Sequence, residues 1–117
     1  MQREDSRTDL GVIRIHKNVV ASISSIAAME IEGVKRVGGS FRSGFLELIG
    51  KSALSAIKVE IDKNEEVKLE IPIVIKYGYN IPEIANKIQE NVRNALEKMT
   101  NLSIRDININ VQGIERA

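Results

Sequence analysis

The residues able to do chemistry in this sequence are few and scattered. His16 is the one histidine and the chain has no cysteine, which excludes disulfides, thiolate metal sites and cysteine nucleophiles. His16 follows a short alternating segment and precedes Lys17, a setting typical of an exposed side chain at a strand end. Ser22, Ser24 and Ser25 have no predicted base partner, and a serine nucleophile needs one. We therefore predict no catalytic residue and no enzyme.

Acidic residues gather in one part of the chain but do not form a predicted site. Glu60, Glu65, Glu66 and Glu70 surround a predicted hairpin, where they alternate with lysines. Acid–base catalysis by two carboxylates requires different environments for the two groups, whereas this pattern is typical of a solvated strand face. A single histidine with scattered carboxylates does not match the ligand spacing of zinc or calcium sites. No metal and no cofactor are predicted.

A glycine-rich segment partly resembles a phosphate-binding loop. Gly50, Lys51 and Ser52 match the end of the P-loop motif, but the motif needs a glycine where Phe45 stands, and Gly44 is one position away. No predicted strand precedes the segment and no long helix follows it. Three functional hypotheses are considered: a protein-interaction module, a nucleic-acid-binding regulator, and an enzyme or nucleotide binder. The last is the weakest of them.

The region from 34 to 55 combines basic, aromatic and glycine residues. Such a combination can bind single-stranded nucleic acid or an acidic partner. The candidate partner-binding residues are Lys35, Arg36, Phe41, Arg42, Phe45 and Lys51. A loop whose phenylalanines pack onto the core is the alternative. With 17 basic and 16 acidic residues, the chain lacks the basic excess of dedicated nucleic-acid binders, which argues against a nucleic-acid partner.

Length and composition favour one globular domain. A chain of 117 residues with 43% hydrophobic content fits a single domain, predicted at 10–117 after a disordered tail at 1–9. The tail lacks the apolar core of a signal peptide. No apolar run approaches the roughly 20 residues that cross a bilayer. Membrane association would then require a protein partner or a surface of the folded domain.

Hydrophobic periodicity predicts the elements that position these residues. Period-two alternation indicates a strand at 11–16, a hairpin from 57 to 75 that turns near Lys63 and Asn64, and a last strand at 106–112. Helices are predicted from Asn18 to Glu32 and after Asn80. The order β-α-β-β-α-β predicts an α+β two-layer sandwich, with two helices on one face of a mostly antiparallel sheet. The ferredoxin-like pattern has the same order.

The surface of the first predicted helix is unusually poor in charge. Its core stripe is predicted to contain Val20, Ile23, Ala27 and Ile31, and that of the second helix Ile84, Ile88, Val92, Ala95, Leu96 and Met99. The other faces of the first helix are small and uncharged, which permits close approach of another subunit. The candidate self-association residues are Ala21, Ser22, Ser25 and Ala28. Pro72, which cannot donate to a sheet ladder, is predicted to face an open edge or a bulge.

An ordered set of residues resembles a known family. The set spans residues 10 to 114 and contains Gly11, Ile13, Ile15, Val19, Ile23, Ala27, Glu30, Gly33, Val34, Tyr77, Gly78, Ile81, Pro82, Val92, Met99, Thr100, Asn108, Ile109, Val111 and Gly113. It resembles the alkaline-shock, or general-stress cell-envelope, protein family of Gram-positive bacteria. The resemblance implies a non-enzymatic cytoplasmic protein of envelope stress or homeostasis, without cofactor. It also implies protein partners, including a membrane-anchored one, and a homo-oligomer. A nucleic-acid-binding regulator remains the alternative.

Overall fold

The computed structural model of the chain describes the backbone of residues 2–38 and 56–116, and the side chains of residues 16–38 and 56–116. The elements in chain order are α1 (Gln2–Met29), β1 (Val34–Val37), β2 (Lys58–Ile61), β3 (Glu66–Lys76), α2 (Ile81–Met99) and β4 (Ser103–Glu115). The predicted α+β class is confirmed, since the described residues form two helices and one four-stranded, mostly antiparallel sheet. The predicted hairpin, second helix and last strand also lie where the periodicity placed them.

The N-terminal part of the chain differs from the prediction. The strand predicted at 11–16 is wrong, since these residues belong to α1, as do residues 2–9 that were predicted to form a tail. Asn18, predicted as a helix cap, lies inside the same helix. Alternation over so few residues also fits helical spacing. Apolar residues recur at intervals of three and four through α1, at Val12, Ile15, Val19, Ile23 and Ile26.

The sheet is organised around β3. One edge of β3 pairs along its whole length with β4, in parallel, from Glu66 opposite Ser103 to Lys76 opposite Glu115. The short strands β1 and β2 both pair with β3 in antiparallel fashion, but at different ends of it. Since β4 takes one edge of β3 and a strand has two, β1 and β2 share the other. This strand order was not predicted from the sequence.

Pro72 lies in the central strand and not on an edge strand. The ladder with β2 ends at Glu70 and the ladder with β1 begins at Ile73, which leaves a gap beside Pro72. The Pro72 carbonyl accepts a hydrogen bond of 2.9 Å from the Gly38 N–H, so the nitrogen and oxygen of Pro72 point toward the shared edge. The gap thus provides the unpaired position that proline requires.

The core lies between the sheet and the two helices. The residues of β3 that face the helices are fully or almost fully buried: Val67, Leu69, Ile71, Ile73 and Ile75. The matching buried residues of α2 are Ile84, Ile88, Val92 and Leu96. Each such side chain stabilises the fold by about 1.5–3 kcal/mol relative to an exposed position. Met99, predicted to belong to this buried stripe, is instead exposed.

The start of α2 confirms a local prediction. The side chain of Asn80 accepts a hydrogen bond of 3.0 Å from the Glu83 N–H, and Pro82 lies in the first turn. At the other end, the N–H and hydroxyl groups of Thr100 both donate to the Leu96 carbonyl. These contacts satisfy helix-end groups that would otherwise lack partners. They fix where α2 stops, and therefore where Met99 emerges at the surface.

Candidate functional site

Exposed apolar side chains gather on the solvent side of the two helices. We call this surface the helix patch, and it consists of Val19, Ile23, Ile26, Met29, Ala95 and Met99. Ile26 is 64% exposed and Met99 is 69% exposed, so both are open to a binding partner. Isolated exposed apolar residues are ordinary, but a contiguous group is typical of an interaction site.

The local sequence of α1 explains why the helix patch lacks charge. No charged residue occurs between Lys17 and Glu30. One side of this stretch contributes Val20, Ser24 and Ala28 to the interior. The opposite side would normally carry charged residues in a solvent-facing helix, but here it carries Ile26 together with other patch residues. From Asn18 to Met29, α1 is therefore apolar or neutral on both faces.

A small groove between the helices lies in the middle of the helix patch. Its volume is about 90 Å³, and the residues around it include Ile23, Ala95 and Met99. Asn91 holds the helices together beside it, since its Nδ2 donates to the Ala27 carbonyl at 2.7 Å and to Glu30 Oε1 at 2.9 Å. The helix patch is thus built on a fixed pair of helices.

A larger cavity adjoins the helix patch. It has a volume of about 370 Å³, and it shares Val19 and Met99 with the patch. His16, Glu65 and Asn101 add polar groups to its wall. His16, predicted to be exposed at a strand end, is instead half-buried in α1. The cavity extends the apolar surface toward the turn between β2 and β3.

The candidate self-association residues lie only partly at the surface. Ala21 is 4% exposed and Ala28 is 0% exposed, so in this structure their side chains are packed against the protein's own core. Ser22 and Ser25 are half-buried. Self-association through α1 thus stays a prediction, and the exposed apolar residues of this helix are others, Val19, Ile26 and Met29. Reading positions 19, 23, 26 and 29 as one helical face would have found them.

Two of the candidate partner-binding residues lie in β1 and contact β4. Arg36 donates two hydrogen bonds to Glu115, of 2.9 and 2.6 Å. Lys35 donates to the Arg116 carbonyl at 2.6 Å, and its Nζ lies 3.8 Å from Glu115 Oε1. The other candidates, Phe41, Arg42, Phe45 and Lys51, lie outside the described residues, as do Gly50 and Ser52 of the P-loop-like segment.

The contacts around Glu115 determine its ionisation. The hydrogen bonds from Arg36 hold the pKa of the Glu115 carboxyl below its usual range, against a smaller opposing effect of desolvation. Beyond it, the Arg116 guanidinium lies 5.7 Å from the centre of the Tyr77 ring, a cation–π distance. This charged end of the sheet contrasts with the mainly apolar helix patch, whose groove has one charged residue, Glu30, in its lining.

The described residues contain neither a metal site nor a membrane-spanning helix. Among the side chains that the structure describes, no three histidine or carboxylate groups come together as a metal site would require. Within the same part of the chain, neither helix combines the length and the apolar composition needed to cross a bilayer.

Sequence comparisons match almost the whole chain. The model of the alkaline shock protein 23 family, described as having a cell envelope-related function, matches residues 5–116. The uncharacterized protein YqhY of Bacillus subtilis is 37% identical over 116 residues, which cover 98% of this chain and 84% of that protein. A stress response regulator gls24 homolog of Streptococcus pyogenes is 24% identical over 107 residues, which cover 90% of this chain and 59% of that protein.

A comparison with solved structures shows the fold alone. A structure of the MamM CTD aligns with a TM-score of 0.52 at 14% sequence identity. The alignment covers 84% of this chain and 98% of that one. The α+β arrangement is therefore shared with a protein of very different sequence, and no functional residue is transferred from it.

Proposed function

Because this chain belongs to the alkaline shock protein 23 family of cell envelope-related function, we propose that it is a non-enzymatic scaffold of the envelope stress response. In this proposal it acts in the cytoplasm, self-associates, and binds a membrane-anchored protein at the inner face of the cell membrane. The observation that carries the proposal is the helix patch. Relatives named as stress response regulators support the cellular process.

The chemistry of the helix patch fits an amphipathic helix of the partner. Such a helix binds by placing its apolar face in a groove, and the groove beside Ile23 and Ala95 lies at the centre of the patch. Met99 lines it, and methionine side chains adapt their shape to a bound surface. No side chain from Asn18 to Met29 is charged, so within the groove lining only Glu30 would impose the desolvation cost of a buried charge.

The composition supports a binding role over catalysis. Acid–base and nucleophilic catalysis need positioned groups with suitable partners. The chain has no cysteine and one histidine, and His16 is half-buried and lines a cavity together with Val19 and Met99. Lys35, Arg36 and Glu115 are engaged with one another at the sheet. These groups serve packing and ion pairing in the proposal.

The experiment is an affinity capture of the tagged protein from a gently solubilised membrane fraction of its host, with and without nuclease. Wild type is compared with Ile26→Glu in the helix patch and with Tyr77→Glu, an equally conspicuous exposed residue outside it. The proposal predicts that wild type and Tyr77→Glu recover the same membrane-anchored protein regardless of nuclease, and that Ile26→Glu loses it. Recovery of mainly nuclease-sensitive nucleic acid would instead support the regulator hypothesis.

A further inference from the structure

Between the register shifts at Arg105 and Gln112, the outer edge of β4 from Ile107 onward lacks two features that usually protect an edge strand, charged side chains and proline. Within the part of the chain that the structure describes, β4 pairs with β3 alone. From Ile107 to Ile114 it contains neither a charged residue nor a proline. Edge strands normally carry such residues because an open row of backbone groups pairs readily with another chain. Among the described residues, this segment of β4 therefore has no strand on its outer side.

The register of the sheet identifies which backbone groups are open. Because the Pro72 carbonyl points toward β1, its neighbours Ile71 and Ile73 point toward β4. Parallel pairing then turns the backbone groups of Asn108 and Asn110 toward β3 and those of Ile109 and Val111 outward.

Side chains of α2 cover the beginning of the same edge. Gln89 donates to the Ile107 carbonyl at 2.7 Å, and Arg93 donates to the Ile104 carbonyl at 2.9 Å. The contact with Ile107 agrees with the outward direction of the odd-numbered residues. The open part of the edge therefore begins after Ile107. It contains the outward N–H and C=O groups of Ile109 and Val111.

We propose that this edge pairs with β4 of a second copy of the chain, antiparallel, about a two-fold axis at Asn110. Ile109 then lies opposite Val111 of the second copy, and Val111 opposite its Ile109. Each of these pairs exchanges both backbone hydrogen bonds, so the open groups of the two copies satisfy one another. A two-fold contact of this kind is closed and self-complementary.

The side chains in this register are compatible on both faces. Ile109 and Val111, half-buried on the helix side, are placed directly opposite each other across the two-fold. On the other face the amide of Asn110 meets its own copy, and no like charges come together. The inference deepens the self-association part of the proposed function. It leaves the helix patch to the membrane-anchored partner.

Engineered disulfides test the register directly, because the wild-type chain has no cysteine. In the proposed dimer the two Asn110 residues form a non-hydrogen-bonded pair with Cα atoms about 4.5 Å apart, which a disulfide can join. The two Asn108 Cα atoms would be about 13 Å apart. Under mild oxidation, Asn110→Cys is expected to form a covalent dimer and Asn108→Cys, the matched exposed control, to remain a monomer. Equal cross-linking of the two variants, or none of Asn110→Cys, would overturn the proposal.

Light scattering provides a second readout that needs no oxidation. Asn110→Lys brings two like charges together at the two-fold and is expected to give the mass of a monomer, whereas wild type gives that of a dimer or larger multiple. Wild type that is monomeric at every concentration overturns the proposal and the self-association on which it rests. If Asn110→Lys keeps the wild-type mass, the β4 contact is wrong but self-association elsewhere stands, and partner capture through the helix patch is unaffected.

Discussion

Arg36 and Glu115 form an ion pair with two hydrogen bonds, although they are 79 residues apart in the chain. Arg36 is opposite Val74 and Glu115 is opposite Lys76, so the pair crosses β3 and joins β1 to the end of β4. Two guanidinium nitrogens of Arg36 bond the two carboxylate oxygens of Glu115, which fixes the relative orientation of the side chains. The single ammonium group of a lysine could not do this. The pair thus ties together two strands that have no ladder between them.

Glu115→Gln tests the contribution of this ion pair to stability. Because the pKa of Glu115 is lowered in the folded state, its charge stabilises the fold above the ordinary carboxyl pKa. This contribution is lost as the pH falls through the lowered folded-state pKa. We expect a small decrease in melting temperature near neutral pH that disappears in acid. Thermal unfolding from pH 7 downward measures it, with Glu83→Gln as a control at an exposed helix pair. An equal effect of both variants would contradict a special role for Glu115.

Tyr79 and Glu32 predict a titration at alkaline pH. The hydroxyl of Tyr79 donates to Glu32 Oε1 at 3.1 Å, and this hydrogen bond raises the pKa of Tyr79 above 10.0. The contact therefore stabilises the fold below pH 10 and is lost as the pH rises through the raised folded-state pKa. We expect Glu32→Gln to return the pKa of Tyr79 toward its ordinary range. Phenolate absorbance measures this titration. Glu30→Gln is the control, and an unchanged titration of Glu32→Gln would refute the contact.

Gly33 combines a positive φ with a crowded position. Its φ is +105°, and a Cβ added there would lie 2.8 Å from a Tyr79 ring carbon and 2.9 Å from Ile84 Cδ1. Gly78 also has a positive φ, of +97°, but a Cβ there has no neighbour within 4 Å among the described residues. Both alanine substitutions are expected to lower the free energy of unfolding by roughly 1–2 kcal/mol, because alanine is strained at a positive φ. Overpacking adds about 1–3 kcal/mol in Gly33→Ala alone.

Urea unfolding compares these two variants. We expect Gly33→Ala to be clearly less stable than Gly78→Ala. Similar losses would mean that the side chains of Tyr79 and Ile84 move away at no cost.

Ser24 is a buried polar residue whose replacement should stabilise the fold. Its side chain is fully buried, and its hydroxyl has no hydrogen-bond partner among the described residues. Removing an unsatisfied buried hydroxyl is expected to raise the free energy of unfolding by about 1–2 kcal/mol. Ser22→Ala, at a half-buried position of the same helix, is the control. There the free energy of unfolding should rise by only about a few tenths of a kcal/mol, because alanine has a higher helix propensity than serine. Denaturant unfolding distinguishes them, and a loss of stability in Ser24→Ala would reveal a hydrogen bond at Ser24.

The sequence predicted the elements whose signals are local. Asn80 and the spacing from Ile84 to Leu96 identified α2, and alternation around Lys63 and Asn64 identified the β2–β3 hairpin. At 11–16, a short alternating run was compatible with both strand and helix, and continuity with the helix after Asn18 decided the outcome. The central position of β3 depends on long-range pairing, which no local pattern encodes.

The site was predicted less completely than the fold. The missing charge in α1 predicted a contact surface on that helix, and helical phase decides which of its residues face solvent. Ala21 and Ala28 face inward, while Ile26 faces out and Met99 joins it from α2. That contact between the helices follows from tertiary packing, as does the pairing of Arg36 with Glu115.

The most direct test of the central claim is the location of helix-patch variants in host cells. The chain carrying both Ile26→Glu and Met99→Glu should keep near-wild-type stability, since both positions are exposed. Cells are fractionated and the protein is quantified in the membrane and soluble fractions, with Tyr77→Glu as the control. We expect wild type and Tyr77→Glu in the membrane fraction and the double variant in the soluble fraction. A double variant that stays with the membrane at the wild-type level, while folded, would contradict the account.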